Sequence, residues 1–302
     1  MKSPPFLITA AGIAVLTMTS CTYASEQLGS TVAPSAQSAT PTTVHAATAA
    51  AALVPDDLKG KQLHFATDAS YPPFEMFASD NTTIVGFDAD VMSEIAGRMG
   101  VTFIPVNTGF DGILTGLAAG RYDAAISSFS ITEERKKAVD LVTYMQGGAG
   151  IAVPVGNPNH LAMDWTTLCG HSIAAQKGTT QAIEQLPALS QQCTQAGKPA
   201  IDISLFPSQN DTILAMSSGR VEAMMSDSAA IGYQAKLSNG KFELAPGPVY
   251  SARPTGIALP KGSPLQPAIS EAVKEIYADG TIKTLAAKWA VPDTNLTDTP
   301  GA

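Results

Sequence analysis

The sequence is poor in the side chains that most often carry catalysis or bind metals. It has four histidines and three cysteines among its 302 residues. His45, His160 and His171 have neither the spacing of metal ligands nor that of a catalytic triad, and His64 is expected to be an ordinary strand residue. We therefore expect neither a metal site nor a cofactor.

Positive charge is also scarce. The chain has 18 basic and 26 acidic residues, a net charge of −8, and its one basic tract consists of the three residues 135–137. Proteins that bind nucleic acids usually present a basic patch or stripe to the phosphates. We therefore expect no nucleic-acid partner.

The first twenty residues contain an apolar run that is too short to span a bilayer. The run covers residues 6–18 after a short basic start, whereas a transmembrane helix needs about 20 residues. This pattern predicts a signal peptide over residues 1–20. The following MTSC at 18–21 resembles a bacterial lipobox, which implies a lipid on Cys21 and an extracytoplasmic protein anchored to the cell membrane. The alternative is ordinary cleavage near Ala24.

Large side chains are missing from the segment that follows. Residues 22–54 are nearly all Ala, Ser, Thr, Pro and Gln, without apolar periodicity. Such a composition cannot offset the entropy of ordering the chain. We predict a flexible tether over residues 21–55.

The number of cysteines is odd unless one carries a lipid. With Cys21 assigned to the lipid, Cys169 and Cys193 remain as a pair in an oxidising compartment. A disulfide between them would close a loop of about 24 residues and contribute roughly 3 kcal/mol. Two free, buried cysteines are the alternative.

The remaining sequence has an ordinary globular composition, with 45% hydrophobic and 15% charged residues. Between residues 55 and 292, short β-rich runs alternate with amphipathic segments, which predicts an α/β fold with mainly parallel sheets. One amphipathic segment has apolar residues at helical spacing after Asp88, which is the expected N-cap, and Asp111 is expected to cap the next helix. The apolar positions of the first helix are Val91, Met92, Ile95, Ala96 and Met99.

One β-α-β unit occurs twice, about a hundred residues apart. Asp111, Gly120, Ala124 and Ser127 of the first copy correspond to Asp211, Gly219, Ala223 and Ser226 of the second. Chance similarity is the alternative, and we favour two lobes of like topology. Because ligands of open α/β sheets bind beyond the carboxyl ends of the strands, two facing lobes would line a cleft with the residues found there. Those residues are 68–71, Phe110, 127–130, 176–181 and 226–227.

These strand ends carry groups suited to a small zwitterion. Arg135 offers a planar fork for a carboxylate, although it could equally be a solvated helix residue. The segment 178–181 could bind an anion at a helix N-terminus or be an ordinary cap. Asp227 could pair with an ammonium, and Tyr71 and Phe110 could contact a side chain. Within the stretch SSFSITEER at 127–135, Ser130 and Glu133 also match a capping box at the start of a helix. That structural role would explain the pattern without any ligand.

Several motifs resemble those of the polar amino-acid family of extracytoplasmic solute-binding proteins of ABC importers. The resemblance covers residues 58–291. It is carried by ATDASYPPFE at 66–75, GFDAD at 86–90, SSFSITEER at 127–135, GTT at 178–180, GIALPKG at 256–262, DGT at 279–281 and KW at 288–289.

The resemblance implies a two-lobed periplasmic-binding-protein-like fold of type II. Each lobe would be a mixed, mainly parallel sheet flanked by helices, and two hinge crossovers near 145–148 and 251–255 would join the lobes. Lobe 1 would comprise residues 56–147 and 254–292 and lobe 2 residues 148–253, before a polar tail at 293–302.

The resemblance also implies a role for each ligand-binding residue. Arg135 with Thr179 and Thr180 would hold the α-carboxylate of an L-amino acid, and Asp227 with Ser128 would hold its α-ammonium. Asp68, Tyr71 and Phe110 would surround the side chain, and Ser127, Ser130 and Gln176 would complete the lining. The carboxylate of Asp68 favours an amide or basic ligand such as glutamine, arginine, lysine or histidine.

The function implied is that of a monomeric receptor that delivers its ligand to an ABC permease, with no catalytic residue. One alternative is an enzyme on the same scaffold resembling cyclohexadienyl dehydratase, for which Glu75 and His64 are the candidate acids or bases. The other is an amino-acid sensor for a signalling partner.

Overall fold

The computed structural model describes residues 48–302. The predicted signal peptide, Cys21 and residues 21–47 of the predicted tether lie outside this part of the chain. Within it, no helix is both long and apolar enough to cross a membrane.

Twelve strands form in the described residues. They are β1 (Gln62–Thr67), β2 (Ser70–Tyr71), β3 (Glu75–Phe77), β4 (Ile84–Val85), β5 (Thr102–Asn107), β6 (Ala124–Ser130), β7 (Val139–Pro154), β8 (Ser172–Gln176), β9 (Asp202–Phe206), β10 (Ala223–Asp227), β11 (Phe242–Leu244) and β12 (Tyr250–Pro260).

Ten α-helices lie between and around these strands, in the same described residues. They are α1 (Ala49–Ala52), α2 (Phe87–Met99), α3 (Phe110–Ala118), α4 (Glu133–Ala138), α5 (Trp165–Leu168), α6 (Leu186–Gln195), α7 (Gln209–Ser217), α8 (Ser228–Leu237), α9 (Gln266–Ala278) and α10 (Thr281–Lys288). A π-helical turn, Gln181–Gln185, precedes α6, and a 3-10 turn, Asp293–Asn295, follows α10.

Two long antiparallel strands join two lobes. The strand order is β5-β1-β6-β12-β7-β10-β8-β9, with β11 also paired to β7. In lobe 1, β1 is parallel to both β5 and β6, and in lobe 2, β8 is parallel to both β9 and β10. Strands β7 and β12 pair from Val139 with Pro260 to Ala149 with Tyr250, so both run from one lobe into the other. The predicted two-lobed α/β fold is therefore confirmed.

Each lobe has its own hydrophobic core. In lobe 1 all five predicted apolar positions of α2 are buried, and they pack with β1, β7 and α9. In lobe 2 the cores lie on both faces of β8 and β10, beneath α6 and α7. The repeated unit places α3 and β6 of lobe 1 in positions equivalent to α7 and β10 of lobe 2.

Two predicted helix caps are wrong. Helix α2 begins after Gly86 and α3 after Gly109, and neither aspartate caps the helix with its side chain. Asp88 instead points into lobe 1, where it accepts hydrogen bonds from Ser128 and Tyr144. A sequence pattern cannot distinguish an aspartate at the cap position from one that lies two residues further on, inside the helix, with its side chain turned toward the core.

The predicted disulfide between Cys169 and Cys193 is present, with Cα atoms 5.5 Å apart. It links the end of α5 to α6, and Cys193 is fully buried in the lobe 2 core.

The predicted tether extends too far toward the folded region. Residues 49–52 are helical, Thr48 donates a hydrogen bond to the carbonyl of Arg98, and the Ala50 N–H donates to Glu275. Ala50 and Val54 are buried in the lobe 1 core. A four-alanine helix has no apolar periodicity, so the composition alone does not reveal this docking.

The polar C-terminal residues 293–302 also pack on lobe 1. Asn295 donates to the carbonyl of Gln146 on β7, and Gly301 and Ala302 pair with the backbone of Thr143. The tail therefore contacts the strand that joins the lobes.

Candidate functional site

The carboxyl ends of the parallel strands in both lobes meet at one cleft, which we call the interlobe cleft. It contains about 350 Å³ of empty space, part of which is open to solvent. All eleven residues predicted to bind ligand line it. They are Asp68, Tyr71, Phe110, Ser127, Ser128, Ser130, Arg135, Gln176, Thr179, Thr180 and Asp227.

Arg135 is a buried cation on the lobe 1 wall. Its side chain is 8% exposed and lies 5.7 Å and 5.6 Å from the ring centroids of Phe110 and Phe129. Its guanidinium donates to the carbonyls of Ser130 and Gly178, at 2.8 and 3.0 Å. Burial lowers its pKa to about 10, so it remains charged at neutral pH. Within residues 48–302, no carboxylate lies within ion-pair distance of this cation.

The capping box predicted around Arg135 is wrong. Helix α4 is capped by Thr132, whose hydroxyl accepts from the Arg135 N–H, and not by Ser130. Ser130 instead faces the cleft, where its hydroxyl lies 3.4 Å from that of Thr180. The hydroxyl that the sequence suggests as a cap is therefore available in the cleft.

Asp227 provides a carboxylate on the opposite, lobe 2 wall. It accepts hydrogen bonds from Tyr71 at 2.9 Å and from Gln181 at 2.8 Å, and no basic side chain of the described residues forms an ion pair with it. Burial raises its pKa above 3.8. Because the pKa shift reflects a desolvated carboxylate, a cation in the cleft would be favoured beside it.

Asp68 provides a second carboxylate, on the lobe 1 side. It is 7% exposed and accepts from Gln176 across the cleft at 2.6 Å and from the N–H of Phe110 at 3.2 Å. Burial raises its pKa above 3.8. Phe110 itself stacks on Phe129 with ring centroids 5.1 Å apart, which gives this part of the cleft a flat apolar wall.

The turn after β8 forms the remainder of the lobe 2 wall. Thr179 donates to the carbonyl of Gln176 and accepts from the N–H of Ala182, so Thr179 caps the turn while Thr180 is buried and faces the cleft. The element that follows is a π-helical turn that begins at Gln181. Gln181 also lines the cleft; it belongs to the predicted strand-end segment 176–181 but not to the eleven residues predicted to bind ligand.

Two groups considered as catalytic acids or bases do not line the cleft. Glu75 is fully buried behind it, where it accepts from Ser127. His64 lies exposed on β1, 4.0 Å from Asp123. Among residues 48–302 there is also no group of three or more His, Cys, Asp or Glu side chains that could hold a metal ion.

Known proteins share this architecture. The arginine-binding protein ArgT of Corynebacterium glutamicum is 30% identical over 243 residues, which is 80% of this chain and 79% of that protein. The structure of an ancestral arginine-binding protein bound to arginine is 31% identical with a TM-score of 0.69, and the match covers 77% of this chain and 99% of that one.

A second similar structure concerns the enzyme alternative. It is an ancestral amino-acid-binding protein, a precursor of cyclohexadienyl dehydratase, at 31% identity and a TM-score of 0.64, covering 76% of this chain and 95% of that one. All three of these proteins are named for binding and not for catalysis. The sequence profile described as "Bacterial extracellular solute-binding proteins, family 3" matches residues 63–292. This chain therefore belongs to family 3 of the bacterial extracellular solute-binding proteins.

Proposed function

We propose that this protein is the substrate receptor of an amino-acid ABC importer, and that it binds a polar L-amino acid with an amide or basic side chain. The observation that carries the proposal is that two opposite charges face each other across the interlobe cleft. Arg135 is a buried cation and Asp227 a desolvated carboxylate on the opposite wall; neither forms a salt bridge with a described residue, and the two attract each other only across the cleft. Buried charges are stable only when paired, and a zwitterion supplies both partners at once.

The rest of the cleft suits the other parts of such a ligand. We assign the α-carboxylate to Arg135 with Thr179 and Thr180, and the α-ammonium to Asp227 and Ser128. Asp68 with Gln176 would receive an amide or a cation at the end of the side chain, between the faces of Tyr71 and Phe110. The aromatic faces favour a ligand with a methylene chain over a very small one such as glycine.

Calorimetric titration with the twenty L-amino acids tests this function. We expect heat and a thermal shift with at least one of glutamine, arginine, lysine and histidine, and none with aspartate or glutamate, which the Asp68 carboxylate would repel. An affinity near micromolar would correspond to about −8 kcal/mol. No response to any of the twenty would contradict the proposal.

Ligand binding and closure of the lobes are expected to be coupled. Hydrogen bonds already cross the cleft from Tyr71 to Asp227, from Gln176 to Asp68 and from Arg135 to Gly178. A ligand that touches both walls binds the closed arrangement more tightly, and hinge closure of this kind is the general behaviour of periplasmic binding proteins. The closed form would then be presented to the permease.

Gly178 offers a test of this coupling. It belongs to lobe 2, and a Cβ on it would lie 2.9 Å from the Asp111 Cα of lobe 1. Overpacking such a contact costs about 1–3 kcal/mol, so Gly178→Ala should weaken binding roughly 5- to 150-fold in titration calorimetry.

Gly219→Ala is the matched control for Gly178→Ala. The two glycines have φ of +73° and +77°, but a Cβ on Gly219 would have nothing within 4 Å. Both variants should lose similar stability from backbone strain, and only Gly178→Ala should lose affinity. Equal affinities of the two variants would show that this contact does not limit closure.

We also propose that a lipid on Cys21 anchors the receptor to the outer face of the cell membrane. The MTSC sequence supports this, and Cys21 precedes the described residues by a segment long enough to act as a tether. Cys21→Ser should move the protein from the membrane fraction to the soluble fraction and abolish incorporation of labelled palmitate. Unchanged fractionation and labelling would favour ordinary cleavage near Ala24.

A further inference from the structure

Two carboxyl groups lie directly behind the serines of the interlobe cleft. Glu75 is the first residue of β3 and Asp88 the second residue of α2, and both are 0% exposed. The two are brought together because the start of α2 packs tightly on the turn before β3. The Asp88 N–H donates to the carbonyl of Phe74 at 2.9 Å, and a Cβ on Gly86 would overlap that same carbonyl.

The two carboxyl groups have unequal supplies of hydrogen-bond donors. Asp88 accepts from the Tyr144 hydroxyl at 2.7 Å and from the N–H and hydroxyl of Ser128 at 3.0 and 3.3 Å. Glu75 accepts at one oxygen from the Ser127 hydroxyl, and its other oxygen, Oε2, has no donor among the described residues. The three donors around Asp88 stabilise its ionised form. Glu75 lacks the donors that a buried carboxylate requires, so its neutral form is favoured.

No positive charge compensates the pair. Within the described part of the chain, neither carboxyl group forms an ion pair with a lysine, arginine or histidine. The titratable groups facing the pair are Asp68, from the loop after β1, and Tyr144, from β7, while β6 contributes only serine hydroxyls. Two adjacent buried carboxylates repel each other, so one of them retains a proton.

The acidities of the two groups agree with this geometry. Burial, and then the negative charge of Asp88, raise the pKa of Glu75 well above 4.5. Burial also raises the pKa of Asp88, to about 6, against the effect of its hydrogen bond from Tyr144. The geometry and the acidities together favour Glu75 as the carrier of the proton and Asp88, with its three donors, as the ionised partner.

Asp88 and Glu75 hold the two serines that face the cleft. Ser128 has a backbone φ of +50°, a left-handed conformation that residues other than glycine rarely adopt. Asp88 accepts from both its N–H and its hydroxyl, which keeps the turn in this form. The Ser127 hydroxyl donates to Glu75 and accepts from the Asp68 N–H, which connects the pair to the loop that carries Asp68.

We propose that Glu75 and Asp88 share one proton and act as positioning residues for the interlobe cleft. The neutral Glu75 allows an ionised Asp88 to be buried, and Asp88 in turn fixes Ser128 and its neighbour at the ligand. The proposal deepens the function proposed above and rests on it only for the effect on ligand affinity.

The first test compares wild-type protein with Glu75→Gln, which keeps the shape and a donor toward Asp88. Because the folded state raises the pKa of Glu75, its contribution to stability is complete below the unfolded value near 4.5 and is lost as pH rises through the folded value. The test is chemical unfolding of both proteins without ligand, between pH 7 and 10. The folding equilibrium constant of the wild type should fall, relative to that of Glu75→Gln, by up to about tenfold for each pH unit. Parallel profiles would overturn the shared proton.

The second test uses the wild-type protein and so does not depend on the variant folding. Infrared spectra of protein labelled with ¹³C at its glutamate carboxyl groups should show the C=O stretch of a protonated carboxylic acid at pH 7. Labelling glutamate alone separates this band from Asp68 and Asp227. Glu75→Gln should lack the band, and its absence from the wild type would also overturn the proposal.

The third test concerns positioning. Hydrogen exchange of the Ser128 amide should be unchanged in Glu75→Gln and about tenfold faster in Asp88→Asn, which replaces an acceptor of that amide. Titration with L-arginine at pH 7 should give Asp88→Asn a clearly weaker affinity than the wild type. Unchanged Ser128 exchange in Asp88→Asn would overturn the positioning role, whereas failure of the wild type to bind any amino acid would contradict only the proposed function.

Discussion

Replacing Arg135 with alanine should cause the largest loss of ligand affinity of any single change in the cleft. The substitution leaves the ligand α-carboxylate buried opposite Asp227 without a cation. Removing one partner of a buried charge pair costs about 3–5 kcal/mol, which is roughly 150- to 5,000-fold in Kd. Titration calorimetry with the amino acid that binds the wild type most tightly would measure this loss.

Two further variants separate the charge of Arg135 from its geometry and its location. Arg135→Lys keeps the charge but loses the planar fork and the stacking on Phe110 and Phe129, so we expect intermediate affinity. Lys137→Ala, on the same helix, removes an exposed cation paired with Glu134 and should change Kd less than about threefold. Equal effects of Arg135→Ala and Lys137→Ala would indicate a nonspecific influence of net charge.

Asp68→Asn should change which ligands bind, with less effect on how tightly a neutral amide is held. Asparagine keeps an acceptor beside Gln176 but removes the negative charge. A hydrogen bond to a charged group is worth about 1.5–3 kcal/mol, so the affinity for L-arginine and L-lysine should fall roughly 10- to 150-fold. L-glutamine should lose less than about threefold, and a competition assay would give these ratios directly.

The pH dependence of wild-type binding gives an independent check on Asp68. Burial raises the pKa of this carboxyl group above 3.8, and only the ionised form attracts a cationic side chain. Affinity for L-arginine should therefore fall as pH decreases through the raised pKa, while Asp68→Asn should retain only the part of this dependence that comes from Asp227, whose pKa burial also raises. Asp57→Asn, which changes an exposed aspartate of the same lobe that does not line the cleft, is the control. Unchanged selectivity in Asp68→Asn would exclude Asp68 from the side-chain site.

Much of the site could be predicted because it depends on where strands end. Parallel strands expose their carboxyl ends at one edge, so Asp68, Ser127 and Gln176 were expected together once the alternation of elements was recognised. The repeated unit then placed Ser226 and Asp227 opposite Ser127 and Ser128. The structure brings all of them except Ser226 to the lining of one cleft, and their contacts with a ligand stay a prediction.

The errors arose where side-chain direction decides the role of a residue. Asp88 has the sequence context of a helix cap but lies one residue inside the helix and points into the core. Ser130 begins a capping-box pattern, yet Thr132 caps the helix. Glu75 follows a turn next to the cleft but is buried behind it. Each of these outcomes depends on tertiary packing, which local spacing does not determine.

The central claim is that Arg135 and Asp227 bind opposite charges of one amino acid from opposite lobes. The most direct measurement is a thermodynamic cycle with the bound amino acid, its α-carboxamide and its α-deamino analogue. The wild type should bind each analogue at least about tenfold more weakly than it binds the amino acid itself. Arg135→Ala should no longer distinguish the amino acid from its carboxamide, and Asp227→Asn should no longer distinguish it from the deamino analogue. If each variant kept the discrimination that its residue is proposed to provide, the assignment of the two charges would be contradicted.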